Sequence, residues 1–305
     1  QGVPSMMGLG NLTRRNVRLF FKDKGMFFTS LITPMILLVL YATFLAKVYR
    51  DSFSAALPAG FPLDGAVIDA TVGGQLISSL LAVSCVTVAF CSNLLMVQDK
   101  VSGARRDITV SPVKRSTLAV SYFLASAATT LIVTVAAFAV CLVYLAIVGW
   151  YMTVGDVLLM LLDVVLLTLF GTALSSCVNF SLSTNGQASA VGTIVSAGYG
   201  FICGAYMPIS SFSDGLQKVL SFLPGTYGTA LIRSHALAGA YREMAKSGFP
   251  DTVIDSIRDS IDCNIYFFGH KAETWAMYAV LVGATALLTA VYVLLYRLCR
   301  TDERR

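Results

Sequence analysis

Charge is what this sequence has least of. Asp, Glu, Lys and Arg together make up 13% of the 305 residues, where a soluble domain carries about 25%. There are only two histidines, His235 and His270, and neither has an acidic or thiol cluster beside it in sequence. No metal site is therefore expected. The seven cysteines form no Cys-x-x-Cys pair and no disulfide framework. Cys85, Cys91, Cys141, Cys177 and Cys203 fall inside apolar runs, where cysteine packs as a small apolar residue. No G-x-x-x-x-G-K-[ST] loop is present to cradle a nucleotide, and no H-E-x-x-H or G-x-S-x-G motif. ATP hydrolysis and hydrolase chemistry by this chain are thus not expected. The net charge of +5 is modest and unevenly placed, which argues against nucleic-acid binding.

What is present is apolar sequence, at 56% of the residues, with a mean hydropathy of +0.74. Continuous apolar runs approach the roughly 20 residues that cross a bilayer as a helix. They lack the alternation of a β-barrel strand. The expectation is an all-α integral membrane protein forming one domain over 1–305. Six spans are expected, at about 27–46, 71–97, 117–148, 156–177, 187–207 and 274–298. The first apolar run follows a long basic leader with nothing resembling a cleavage site after it, so no cleavable signal peptide is expected. Gln1–Ser5 carry no weight in this reading.

Residues 11–26 read as an amphipathic helix lying on the membrane surface. Asn11 or Thr13 would cap it, with Arg14, Arg15 and Arg18 towards headgroups; a basic flank that only sets orientation is the alternative. Loops are expected at 47–70 and 209–273. Within the second, 209–237 could dip into the bilayer as re-entrant helices, with looser chain from Ala238 onward. Thr252–Ile261 has the spacing of a short amphipathic helix, and Ile265–Phe268 would rest at the membrane interface.

The polar interruption at 98–115, QDKVSGARRDITVSPVKR, stands out between two apolar runs. Asp99–Val110 can form a short helix, closed by Ser111-Pro112 because proline disfavours helix in the residue before it. Most of the 22 basic residues lie in the N-terminal leader, this island and the C-terminal tail. The positive-inside rule then places both termini and the island in the cytosol and the two long loops outside.

Two further patterns point to packing and passage. Gln75, Ser78 and Ser79 belong to a small or polar stripe on the second span. Ala188, Gly192, Ser196, Gly200 and Gly204 recur every four residues on the fifth. Such a ladder lets helices approach closely, either within one subunit or between two. Asp163 is the deeply placed ionisable residue, and a charge there needs a partner or a wet cavity; a polar anchor and a substrate contact both fit.

These residues in this order resemble the ABC-2-type permeases, the membrane subunits of type V ABC exporters. The acidic-x-x-x-Gly…Ser-Pro pattern of Asp99, Gly103 and Pro112, with Ile108 between, is similar to that family's coupling segment. Gly204, Pro208, Leu223-Pro224, Tyr227 and Arg233 are similar to its run after span five. Val101, Ala104 and Phe212 depart from the pattern. The resemblance implies a separate cytosolic ABC ATPase, with ATP and Mg in that partner and no cofactor on this chain. It also implies a second permease chain, identical or paralogous, and a plasma (inner) membrane location amid lipid. Arg105, Arg106 and Asp107 would meet the ATPase, while Asp99 would hold the coupling helix to Arg15 or Arg18. Gln75, Ser78, Ser79, Ser196, Tyr199 and Asp163 would line the substrate route. The cargo implied is an amphiphilic drug, peptide or lipid. A glycan exporter is the alternative within the class. A membrane-embedded enzyme using Asp163 and His235, or a non-transporting sensor, is the alternative outside it.

Overall fold

The computed structural model describes residues 4–56, 64–110 and 113–298. Its organising element is α4 (Gly65–Val101), opened by Asp64, whose side chain accepts from the Ala66 amide. Around it pack α2 (Lys24–Leu40), α6 (Arg115–Val148), α7 (Val154–Ser181), α8 (Asn185–Ile202) and α10 (Pro224–Lys246). The apolar window of α4 is 89% buried, against 11% for α12 (Thr274–Leu298). α4 is therefore the centre of the bundle and α12 part of its rim. α4 and α7 touch backbone to backbone: a Cβ on Gly171 would lie 2.9 Å from the Cys85 carbonyl oxygen.

Helices α4, α6, α7 and α12 are long and apolar enough to cross a membrane. Ile132, Val140, Val143 and Ile147 of α6, and Leu287 and Leu294 of α12, lie exposed on the bundle's outside. That is the distribution a lipid-facing surface requires, since no water is there to avoid. The chain is a multi-pass helical membrane protein. A fifth span arises if α1 (Pro4–Lys22) and α2, which meet at a 73° bend, are taken together. Among the described residues, length and composition give four spans, or five with that pair, rather than the expected six. α8 is only 18 residues long, and it begins in the polar Asn185 and Gln187.

Several boundaries differ from expectation. The surface helix is not 11–26: α1 starts at Pro4, so Asn11 and Thr13 lie in its interior rather than capping it. It stops before Asp23, whose extended backbone and side chain, accepting from Met26 N at 3.0 Å, open α2 instead. The expected loop 47–70 is largely helical. After α2 a π-turn at Tyr41–Leu45 leads into α3 (Ala46–Ala56), and α4 begins at Gly65; residues 57–63 lie outside the described residues. Arg50 of α3 and Asp69 of α4 pair at 3.0 Å.

The largest correction concerns 209–273. The expected change at Ala238 does not occur, because α10 runs unbroken from Pro224 to Lys246 and is a core helix against α4 and α7. Hydropathy falls there through Arg242, Glu243 and Lys246, yet Ala236, Gly239 and Ala240 keep one face small and buried. At Gly239 the Tyr151 carbonyl comes so close that no side chain fits. A one-turn 3₁₀ segment (Ile209–Ser211) and α9 (Asp214–Leu220) precede α10, and α11 (Asp251–Ser260) follows it. A short hairpin of β1 (Tyr266–Phe267) and β2 (His270–Lys271) then leads to α12. Phe267 and Phe268, both exposed, stack edge-on with Phe222.

Candidate functional site: the α4–α5 elbow and the buried polar junctions

At its last turn α4 carries Asp99, only 5% exposed. Arg15 of α1 donates to both its oxygens, at 2.8 and 3.1 Å, and the Tyr122 hydroxyl of α6 donates at 2.6 Å. A two-pronged guanidinium–carboxylate contact fixes orientation as well as distance. It raises the Arg15 pKa further, chiefly through the Asp99 hydrogen bond. Three elements are thereby pinned at one point. The next residue, Lys100, donates to the Phe180 and Leu182 carbonyls at the end of α7.

Asp99 was expected on the same helix as Arg105. The structure instead breaks the chain at Ser102–Gly103, where Gly103 adopts φ +82°, a left-handed conformation that glycine takes without a Cβ penalty. A new helix, α5 (Ala104–Val110), starts beyond it. Ile108 tucks into the cluster of Met96, Leu118 and Tyr296, and the Arg105 guanidinium lies over the Tyr296 ring at 5.4 Å. Arg106 and Asp107 are exposed, as is Val110 at 84%. On α1, Arg14 and Arg18 are exposed while Arg15 turns inward. Pro112 lies outside the described residues. The elbow thus presents a short charged and apolar surface on a support held by an ion pair.

The expected route residues are not gathered along an opening. Ser78 is 0% and Ser79 3% exposed, and Tyr199 is buried against Gly225, with Gln75 and Ser196 half-buried. The reason is that α4 is central, so its polar stripe serves packing. Ser92 meets Ser126 at 2.6 Å and Thr130 at 3.1 Å on α6; Asn93 donates to Ser175 at 2.7 Å and Ser176 at 2.8 Å on α7. Contacts of this kind hold membrane helices together at about 0.6 kcal/mol each.

The glycine ladder divides likewise. Gly200 is covered by the Tyr206 ring, whereas a Cβ on Gly192 would meet nothing within 4 Å. Gly204 is not on the helix: α8 ends at Ile202 and Gly204 takes φ +72°. Its carbonyl accepts from Arg233 at 2.9 Å. Arg233, 2% exposed, also donates to Ser79 at 3.0 Å and to the Ile261 carbonyl at 2.7 Å. One side chain so joins α4, the end of α8, α10 and the segment after α11. Asp262 beside it receives the Ile209 amide; burial pushes its carboxyl pKa up, and Arg233 opposes that shift.

Asp163 is 0% exposed and fully partnered. The His235 imidazole of α10 donates from Nδ1 to its Oδ2 at 2.5 Å, and the Tyr278 hydroxyl of α12 donates to Oδ1 at 2.5 Å. His235 has an acidic neighbour after all, placed there by α7 packing on α10 across 72 positions. No sequence periodicity signals such a meeting. Among the described residues no group of three or more His, Cys, Asp or Glu is arranged to hold a metal ion.

A comparison with curated proteins finds no match. A family model described as ABC-2 type transporter matches residues 8–236, from α1 through most of α10. That stretch holds the elbow, its Arg15–Asp99 pin, Gly204 and Arg233. The chain belongs to the ABC-2 type transporter family.

Proposed function

We propose that this chain is the membrane-spanning permease subunit of an ATP-driven exporter, with hydrolysis carried out by a separate cytosolic ABC ATPase that binds ATP and Mg. The observation that carries the proposal is the elbow. Exposed Arg106 and Asp107 sit on α5, and α5 packs on α4, α6 and α12 through Ile108 and Arg105, while the Arg15–Asp99–Tyr122 contact holds the adjoining end of α4 to α1 and α6. A push on α5 would pass into the central helix rather than dissipate in a loose loop. Six crossings would then be α2 with α3, then α4, α6, α7, α8 and α12, with both termini and α5 in the cytosol of a plasma-membrane protein. The open side of α8 around Gly192 would face a second permease chain. The cargo class is an amphiphilic drug, peptide or lipid, and the chain itself would not be an enzyme.

Charge reversal by Arg105→Glu with Arg106→Glu should abolish recovery of the ATPase with the permease, and with it cargo-stimulated hydrolysis. Unchanged recovery and stimulation would overturn the assignment. The Asp163–His235 contact favours a second reading, a membrane-embedded enzyme. Turnover by the purified chain without an ATPase would support that reading instead.

A further inference from the structure

At the end of the bundle opposite α5, a cavity of about 640 Å³ opens between α10, the hairpin and the start of α12. That is the size range of a small-molecule site. His235, Arg258 and Lys271 line it, with Leu231 and Met277 as apolar wall and Trp275 at its edge. We propose that this cavity binds the anionic headgroup of an amphiphile, its chain leaving past Trp275 into the bilayer.

The donors carry the assignment. His235 gives Nδ1 to Asp163 at 2.5 Å, which fixes the ring in the cavity wall and leaves Arg258 and Lys271 as the cations that can meet an anion. Arg258 lies on the Tyr241 ring at 4.7 Å. Asp255 approaches Arg258 and Lys271 only at 3.7 and 3.8 Å, beyond hydrogen-bond length, so both keep donors for a ligand. The lining carboxylate, Glu273, already accepts from Trp275 Nε1 at 2.5 Å.

The depth is set by aromatics. Trp275 is 69% exposed, and the exposed Phe267 and Phe268 of the neighbouring hairpin stack with Phe222, which precedes α10. Amphipathic and aromatic side chains of this kind sit at headgroup level. The placement of this end on the outer face rests on the topology proposed above; the binding site itself does not need an ATPase.

The test uses the full chain with Trp150→Phe, which leaves Trp275 as the one remaining tryptophan of two, reconstituted in phosphatidylcholine vesicles. Brominated phosphatidylglycerol should quench Trp275 more strongly than brominated phosphatidylcholine at equal mole fraction, or a titrated brominated fatty acid should quench it saturably. The first result assigns the site to bilayer lipid, the second to a diffusible anionic amphiphile. Lys271→Gln with Arg258→Gln should remove either effect. His235→Ala would strand the Asp163 carboxylate, so the double variant near the surface is the one that keeps the fold. Equal quenching by the two lipids without fatty-acid saturation, or a preference untouched by the double variant, would overturn the proposal. Neither result bears on ATPase recovery, so the two proposals fail separately.

Discussion

The two ends of the bundle handle charge in opposite ways. At the α5 end one buried pair, Arg15–Asp99, supports a surface on which Arg106 and Asp107 stay exposed. At the other end the charges turn inward: Arg233 is closed in by Ser79 and two carbonyls, and Asp163 by His235 and Tyr278. The first end has charge to offer a partner. The second buries Arg233 and Asp163 to join helices that are distant in sequence, and keeps other charges such as Lys271 at its surface. The difference separates exposed charge, which tolerates substitution structurally, from charge closed in between helices, which does not.

Substitutions at four positions probe that contrast. Arg233→Ala should have the largest effect, about 3–5 kcal/mol, because it leaves two buried carbonyls and a hydroxyl without their donor. Thermal unfolding in detergent should show it, and Arg233→Lys should not restore stability, since one ammonium cannot span the fork's three acceptors. Asp163→Ala should cost about 3 kcal/mol by stranding His235 and Tyr278. A smaller loss would mean that water reaches that pair. Asp99→Ala should cost about 2 kcal/mol and free α1 locally, read as faster tryptic cleavage at Arg14 and Arg18 while the rest of the bundle resists. Gly103→Ala should be mildest, about 1 kcal/mol of left-handed strain, because nothing lies within 4 Å of the added carbon. Its effect should appear in ATPase coupling before it appears in stability. If Gly103→Ala destabilised the chain more than Arg233→Ala, the contrast between the ends would collapse.

The 98–115 part of the elbow was legible in the sequence because its residues are neighbours. Charge interrupts two apolar runs within 98–115; the family resemblance implied Arg15 or Arg18 as the partner of Asp99, and the structure selects Arg15, 84 positions away. The Gly103 break was not legible. Local helix propensity over 99–110 does not reveal that the chain must turn there to return α6 to the bundle. The Arg233 and Asp163 junctions were hidden for a different reason. Their partners lie 154 and 72 positions away, and hydropathy assigned Arg233 and His235 to a loop region because polar residues follow them in α10. The polar stripe of α4 was seen correctly as a pattern. Its meaning changed once α6, α7 and α10 enclosed it.

Sequence by itself determined that this is a helical membrane protein, since long uncharged runs have no other place to bury their surface. It also determined where charge is left over between the apolar runs. Tertiary structure alone decided which polar groups face each other inside. In a low-dielectric interior each buried donor must find its acceptor wherever the packing of helices brings one, and that pairing is written in three dimensions rather than along the chain.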